Sequence, residues 1–111
     1  MVQVTVSVLE EYLRDNYEME VSEQSLFMKL VEEVGEVAEL LNKRTGRKMV
    51  SEEEDLSSRL AEELADVIHY AVAIAAVNQL DLTEAIIEKD KCASVKYGHE
   101  TNLLEYIEKG R

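Results

Sequence analysis

Residues 26–40 read Leu26-Phe27-Met28-Lys29-Leu30-Val31-Glu32-Glu33-Val34-Gly35-Glu36-Val37-Ala38-Glu39-Leu40. Leu26, Leu30, Val37 and Leu40 follow the 4-3-4-3 spacing that draws one apolar stripe along a helix. Glu33 lies on that stripe, where a core residue is expected. The helix is expected to begin after Ser22 and reach about residue 44, with Gly46 just beyond its end. A second stretch repeats the pattern. Leu56, Leu60, Val67, Tyr70, Ile74 and Val77 form the seam of a helix running to about residue 80, and Ser51 with Glu54 offers a capping box at its start. Its misplaced seam residue is Glu63.

Outward from these two helices the chain is punctuated lightly. It has no proline and only four glycines, too little turn chemistry for a many-stranded sandwich or barrel. Val2, Val4, Val6 and Val8 alternate like a strand. Ser7 and Glu10 nevertheless have capping-box spacing, and Val8, Leu9, Tyr12 and Leu13 have helical spacing, so a helix over residues 7–16 is expected. Asp81 and Glu84 open a further helix that reaches Tyr97 and stops at Gly98, and residues 103–109 form a short terminal one. Four main helices with short connections predict an all-α, antiparallel four-helix bundle.

The chain has 111 residues, so 1–111 reads as a single domain. Its 24 acidic and 12 basic residues give a net charge of −12. That balance argues against a bare nucleic-acid binder, which needs basic residues against phosphates. A polyanionic ligand stays compatible if a divalent cation accompanies it. The N-terminus lacks the basic region of a secretory signal, and no stretch approaches a membrane span. With the single cysteine, Cys92, no intramolecular disulfide can form. A soluble protein in a reduced, cytoplasmic setting is expected. Residues 71–76 are apolar almost all round, which calls for cover on more than one side, and a subunit interface is the natural cover.

The acidic residues on the seams carry the chemistry. Glu36 follows Glu33 by three and Asp66 follows Glu63 by three, so each pair projects toward one patch. Antiparallel packing would bring both pairs together. Four carboxylates at a helix interface repel one another and lose hydration. A divalent cation is the simplest compensation, and all-oxygen ligation suits Mg²⁺, Mn²⁺ or Ca²⁺ rather than structural zinc. The bland alternative, glutamates at the seam edge facing water, suits each residue singly but not two matched pairs.

Glu32-Glu33-Val34-Gly35-Glu36 followed by Glu63-Leu64-Ala65-Asp66 resembles the EExxE…ExxD signature of the MazG-like nucleotide pyrophosphohydrolases, of the all-α NTP pyrophosphatase superfamily. The resemblance spans about residues 26–97. It implies hydrolysis of a nucleoside triphosphate to monophosphate and pyrophosphate, by water attacking the α-phosphorus. It implies Mg²⁺ on Glu33, Glu36, Glu63 and Asp66, with Mn²⁺ as the substitute. It also implies a homodimer or homotetramer with its site near an interface. The metal would neutralise triphosphate charge and activate a water. A carboxylate must then orient or deprotonate that water. Glu33 and Glu36 are the candidates, with Glu32 behind them.

Lys29 lies one turn before Glu33 and can reach the same end of the site. Lys89 matches a lysine that the family sets on the phosphates. For each, an ordinary surface lysine is the alternative. The family often has asparagine or arginine one turn later, where this chain has Ala93. Lys96 and Tyr97 could supply charge and stacking there, though Tyr97 also suits helix-end packing. Asp66 and His69 share the acid-x-x-His spacing of di-iron bundles. His99 has no acid three residues before it on a long helix, so His69 reads as a packed or hydrogen-bonded residue. Cys92 reads as a plain thiol, and the acidic run 52–55 as a solvated helix start. The alternative to an enzyme is a non-catalytic helical oligomer that binds metal or nucleotide as an adaptor. No feature identifies the base.

Overall fold

The longest helices are the two whose seams carry the glutamates. In the computed structural model, which describes residues 1–17, 21–46 and 55–110, the order is α1 (Val6–Asn16), α2 (Glu23–Arg44), α3 (Leu56–Val77), α4 (Leu82–Lys96) and α5 (Leu103–Glu108). The described residues are thus all-α. Ser22 caps α2 by accepting from the Gln24 and Ser25 amides. Gly46, at φ +80°, takes the left-handed turn after it, as glycine does at little cost. Asp55 caps α3 by accepting from Ser58 N at 3.0 Å. The expected Ser51–Glu54 box, the basic loop at Arg47 and Lys48, and most of the acidic run lie outside the described residues.

α2 and α3 pack against each other in antiparallel register. Leu26, near the start of α2, shares a core with Val72, Ala73 and Ala76, near the end of α3. The Asn78 amide donates to Glu23 Oε2 at 2.8 Å at that same end. α1 covers α3 from another side and adds Leu13 to this core. Val72, Ala73, Ala75 and Ala76 are therefore buried within the single chain. Within the apolar 71–76 stretch, α1 and α2 thus cover Val72, Ala73 and Ala76, while Ala71 is exposed and Ile74 half-buried.

One start and one end differ from the sequence reading. Thr5, not Ser7, caps α1, accepting from Val8 N at 3.1 Å. Ser7 is instead hydrogen-bonded to the Thr83 hydroxyl at 2.7 Å. Glu10, 5% exposed, accepts from the Leu82 amide at 2.8 Å. It thus serves the start of α4, where free amides and the helix dipole favour a carboxylate. α3 stops at Val77 rather than near residue 80. Leu80 N donates to Ala75 O and Gln79 N to Ala76 O, a Schellman closure with Gln79 at φ +57°.

α4 packs on α1 and α5, with its main contacts away from α2 and α3. Asp90 on α4 accepts from the Leu103 amide and so ties down α5. The radius of gyration is 17.1 Å, against about 13 Å for a compact domain of similar length. One chain thus packs α1, α2 and α3 together and carries α4 beside them. No described helix is long and apolar enough to cross a membrane.

Candidate metal centre

The antiparallel register sets Glu33 of α2 opposite Glu63 and Asp66 of α3. One carboxylate oxygen from each lies within 4.8 Å of the others. Glu33 and Glu63 are half-buried and Asp66 is exposed. Oε2 of Glu63 is sealed from solvent without a hydrogen-bond partner. Facing carboxylates of this kind can bond only if one holds a proton. Glu33 is the one pushed up, to about 7, first by the hydrogen bond shared with Glu63, then by lost hydration, then by the charges of Asp66, Glu63 and Glu36.

This set fits a hard divalent cation. Each carboxylate offers oxygen, the geometry is open on the Asp66 side, and the orphaned Glu63 oxygen lacks any other partner. Metal binding would take the place of the proton that Glu33 and Glu63 share. Glu36 is exposed and lies outside this three-residue cluster. It lines a groove of about 730 Å³ with Glu32, Glu33, Gly35 and Glu39, adjoining the cluster. A β-carbon on Gly35 would meet nothing within 4 Å, so no neighbour in the chain demands glycine there. Within a helix that glycine costs about 0.5–1 kcal/mol relative to alanine.

The lysines are placed differently from one another. Lys29 Nζ is 3.3 Å from Glu32 Oε2. Its ammonium is held above the usual lysine value by that hydrogen bond first, then by the charges of Glu32, Tyr70 and Glu33. Lys89 lies on α4, where it lines a separate groove of about 470 Å³ with Asp90, Cys92, Ala93, Lys96 and Tyr97. Tyr97 is the C-cap of α4 and is exposed, with Lys96 Nζ 5.3 Å from its ring centre. The structure therefore joins three of the four expected carboxylates directly and puts Glu36 beside them. It leaves Lys89 and Tyr97 on a helix that packs elsewhere. Cys92 is an exposed free thiol.

Sequence reasoning passed over Tyr17. Its hydroxyl is 2.8 Å from His69 Nε2, which fulfils the expectation of a hydrogen-bonded histidine. The histidine's position one turn past Asp66 was visible. The partner was not, since it lies 52 residues away.

A family model for the MazG nucleotide pyrophosphohydrolase domain matches residues 21–92, well over half of the chain. The match takes in Glu33, Glu36, Glu63 and Asp66, together with Lys29 and Lys89. No curated protein and no solved structure matches the chain.

Proposed function

Because the chain belongs to the MazG nucleotide pyrophosphohydrolase family, we propose that it is a Mg²⁺-dependent nucleoside triphosphate pyrophosphohydrolase acting as a single domain. It releases monophosphate and pyrophosphate in nucleotide-pool house-cleaning. The observation that carries this reading is the convergence of Glu33, Glu63 and Asp66 from two helices around one orphaned carboxylate oxygen. Mg²⁺ held there, or Mn²⁺ in its place, supplies Lewis-acid neutralisation of phosphate charge and activates water.

The chain's own groups divide the remaining work. Glu33, Glu63 and Asp66 hold the metal, and Glu36 completes the set from the adjoining groove. Glu33 and Glu36, on the groove side, orient the attacking water and take its proton. Glu32 keeps Lys29 in place through their ion pair. Lys29 and Lys89 grip the outer phosphates, where charge develops as pyrophosphate leaves. Tyr97 offers a stacking face.

Assembly follows from what one chain leaves uncovered. Phe27, Val31, Val34 and Leu41 on α2 are exposed at heptad-compatible positions, as are Leu64 and Ile68 on α3. An α2–α3 pair with an apolar outer face is half of a four-helix bundle. Two copies joined through these stripes complete that bundle, giving a homodimer or a dimer of dimers. Lys89 and Tyr97 then serve the carboxylates of a neighbouring copy. Hydrolysis of a nucleotide panel with Mg²⁺, with products identified, tests the activity. Sedimentation tests the assembly.

A further inference from the structure

The charged side chains around Lys89 on α4 are unequally matched. Glu88 holds Lys91 at 3.3 Å. Asp90 is half-buried and accepts from the Leu103 amide at the start of α5. Lys89 and Lys96 are exposed, and among the described residues neither has a carboxylate within ion-pair distance. Lys96 rests instead over the Tyr97 ring. In a chain of net charge −12, two cations without an acid on them hold a local positive field.

Both lysines line the α4 groove with Cys92 and Ala93, and Asp90 is the single acid among its described lining residues. Lys89, Ala93 and Lys96 fall at i, i+4 and i+7, on one face of the helix. Asp90 lies about 100° round from Lys89, so its carboxylate can turn to the groove or away from it. The Leu103 amide draws it away. Asn102 and Glu105 close a capping box at that end of α5, which leaves the Leu103 amide without a partner in its own helix, and Asp90 supplies one. α5 buries none of its own residues, so its hold on Asp90 outweighs any share it has in the core.

We infer that Asp90 is a positioning residue: clasped to the Leu103 amide, it turns the one acid of the α4 groove toward α5 and leaves Lys89 and Lys96 to the anionic phosphates of the substrate. The inference rests on the function proposed above, in which Lys89 grips those phosphates. A carboxylate freed into the groove would lie within a Debye length of the lysines, about 10 Å at 0.1 M salt, and would repel the phosphates they bind.

The test breaks the clasp while keeping the acid. Leu103→Pro removes the donor, and proline suits the first helical position. Leu103→Ala keeps the donor and controls for the lost side chain. In steady-state hydrolysis of a nucleoside triphosphate at low ionic strength, Leu103→Pro should lower kcat/KM about three- to tenfold. Leu103→Ala should stay within about twofold of wild type. Adding Asp90→Asn to Leu103→Pro should restore most of the loss, whereas Asp90→Asn alone should gain less than about twofold. The Leu103→Pro defect should also shrink in about 0.5 M salt. A clasp that is merely structural would leave the double variant no better than Leu103→Pro and the defect insensitive to salt. Either result, or an unmoved kcat/KM in Leu103→Pro, overturns the inference. Because α5 buries nothing, a Leu103→Pro chain whose α5 frays keeps its core and still loses the clasp. A wild-type chain that hydrolyses no triphosphate overturns the function reading instead. Calorimetric binding of inorganic pyrophosphate to the same set of chains then decides the inference, by the same loss and rescue or by their absence.

Discussion

Glu33 and Glu63, thirty positions apart in the sequence, face each other across the α2–α3 contact with carboxylate oxygens within 4.8 Å. A helix seam ordinarily puts leucine at both places. Here the hydrogen bond with Glu63 first, then lost hydration, then the charges of Asp66, Glu63 and Glu36 push the Glu33 carboxyl up to about 7. Three facing acids are costly to fold unless a proton or a cation offsets their charge.

One consequence is an unusual pH dependence of the metal-free protein. The folded Glu33 value, about 7, lies above its ordinary 4.5. Its contribution to stability is thus full below about pH 4.5 and lost as pH rises through about 7. Metal-free wild type should lose stability across that window relative to Glu33→Gln, which has no such titration. Urea denaturation of both at several pH values, in EDTA, checks it. Parallel curves would show that Glu33 does not carry the proton.

Removing one of the repelling charges should separate folding from function. Glu63→Gln keeps the shape and lowers the repulsion. Its metal-free Tm should rise by about 5 °C, the shift that ~1 kcal/mol makes in a domain of this size. Turnover should fall by about 10²-fold or more, and added Mg²⁺ should no longer raise Tm as it does in wild type. Thermal scans with and without Mg²⁺, beside an activity assay, read all three effects. A Tm drop with activity kept would make Glu63 a structural residue.

Glu10 makes a different kind of prediction, because its carboxylate is buried against the Leu82 amide at 2.8 Å. Glu10→Ala should destabilise the protein by about 1–3 kcal/mol, the cost of an unsatisfied buried donor. Glu10→Gln, which retains an acceptor oxygen, should lose less. Neither should change turnover per folded molecule. Chemical denaturation of the three proteins measures the order.

Assembly can be tested on the exposed stripe of α2. Val34→Glu places a charge where two copies would meet and should cut the sedimenting mass at micromolar concentration to that of a smaller species. Activity should fall with it, since Lys89 is expected to act on a neighbouring copy. A wild-type monomer with full activity would remove both the interface and that role.

The parts legible in sequence were those whose partners are local. Ser22 and the 4-3-4-3 run gave the start and face of α2, because cap and period sit within a few residues. The approach of Glu33 to Glu63 and Asp66 was legible for the same reason, whereas Glu36 lies outside their cluster. Their register across α2 and α3 follows once both helices are antiparallel. The start of α1 was misread because Ser7 and Glu10 look like a local box, yet their partners are Thr83 and Leu82 on α4. The end of α3 was misread because Gln79, not glycine, takes the left-handed turn. The burial of Val72, Ala73, Ala75 and Ala76 was legible in their composition. That α1 would supply the cover was not, since Leu13 carries no mark of its distant partner. The position of α4 depends on Glu10 and Asp90, two acids indistinguishable in sequence from solvated ones.

The most direct measurement of the central claim is the identity of the products. The chain is incubated with a panel of nucleoside triphosphates and Mg²⁺, and phosphorus NMR follows the mixture. The expected result is nucleoside monophosphate and pyrophosphate, without orthophosphate, abolished by excess EDTA and slowed by Lys89→Ala with the metal-free fold intact. Nucleoside diphosphate with orthophosphate as first products would contradict the mechanism even with the ligands correct. Nucleotide binding without any turnover would contradict the enzyme and favour an adaptor.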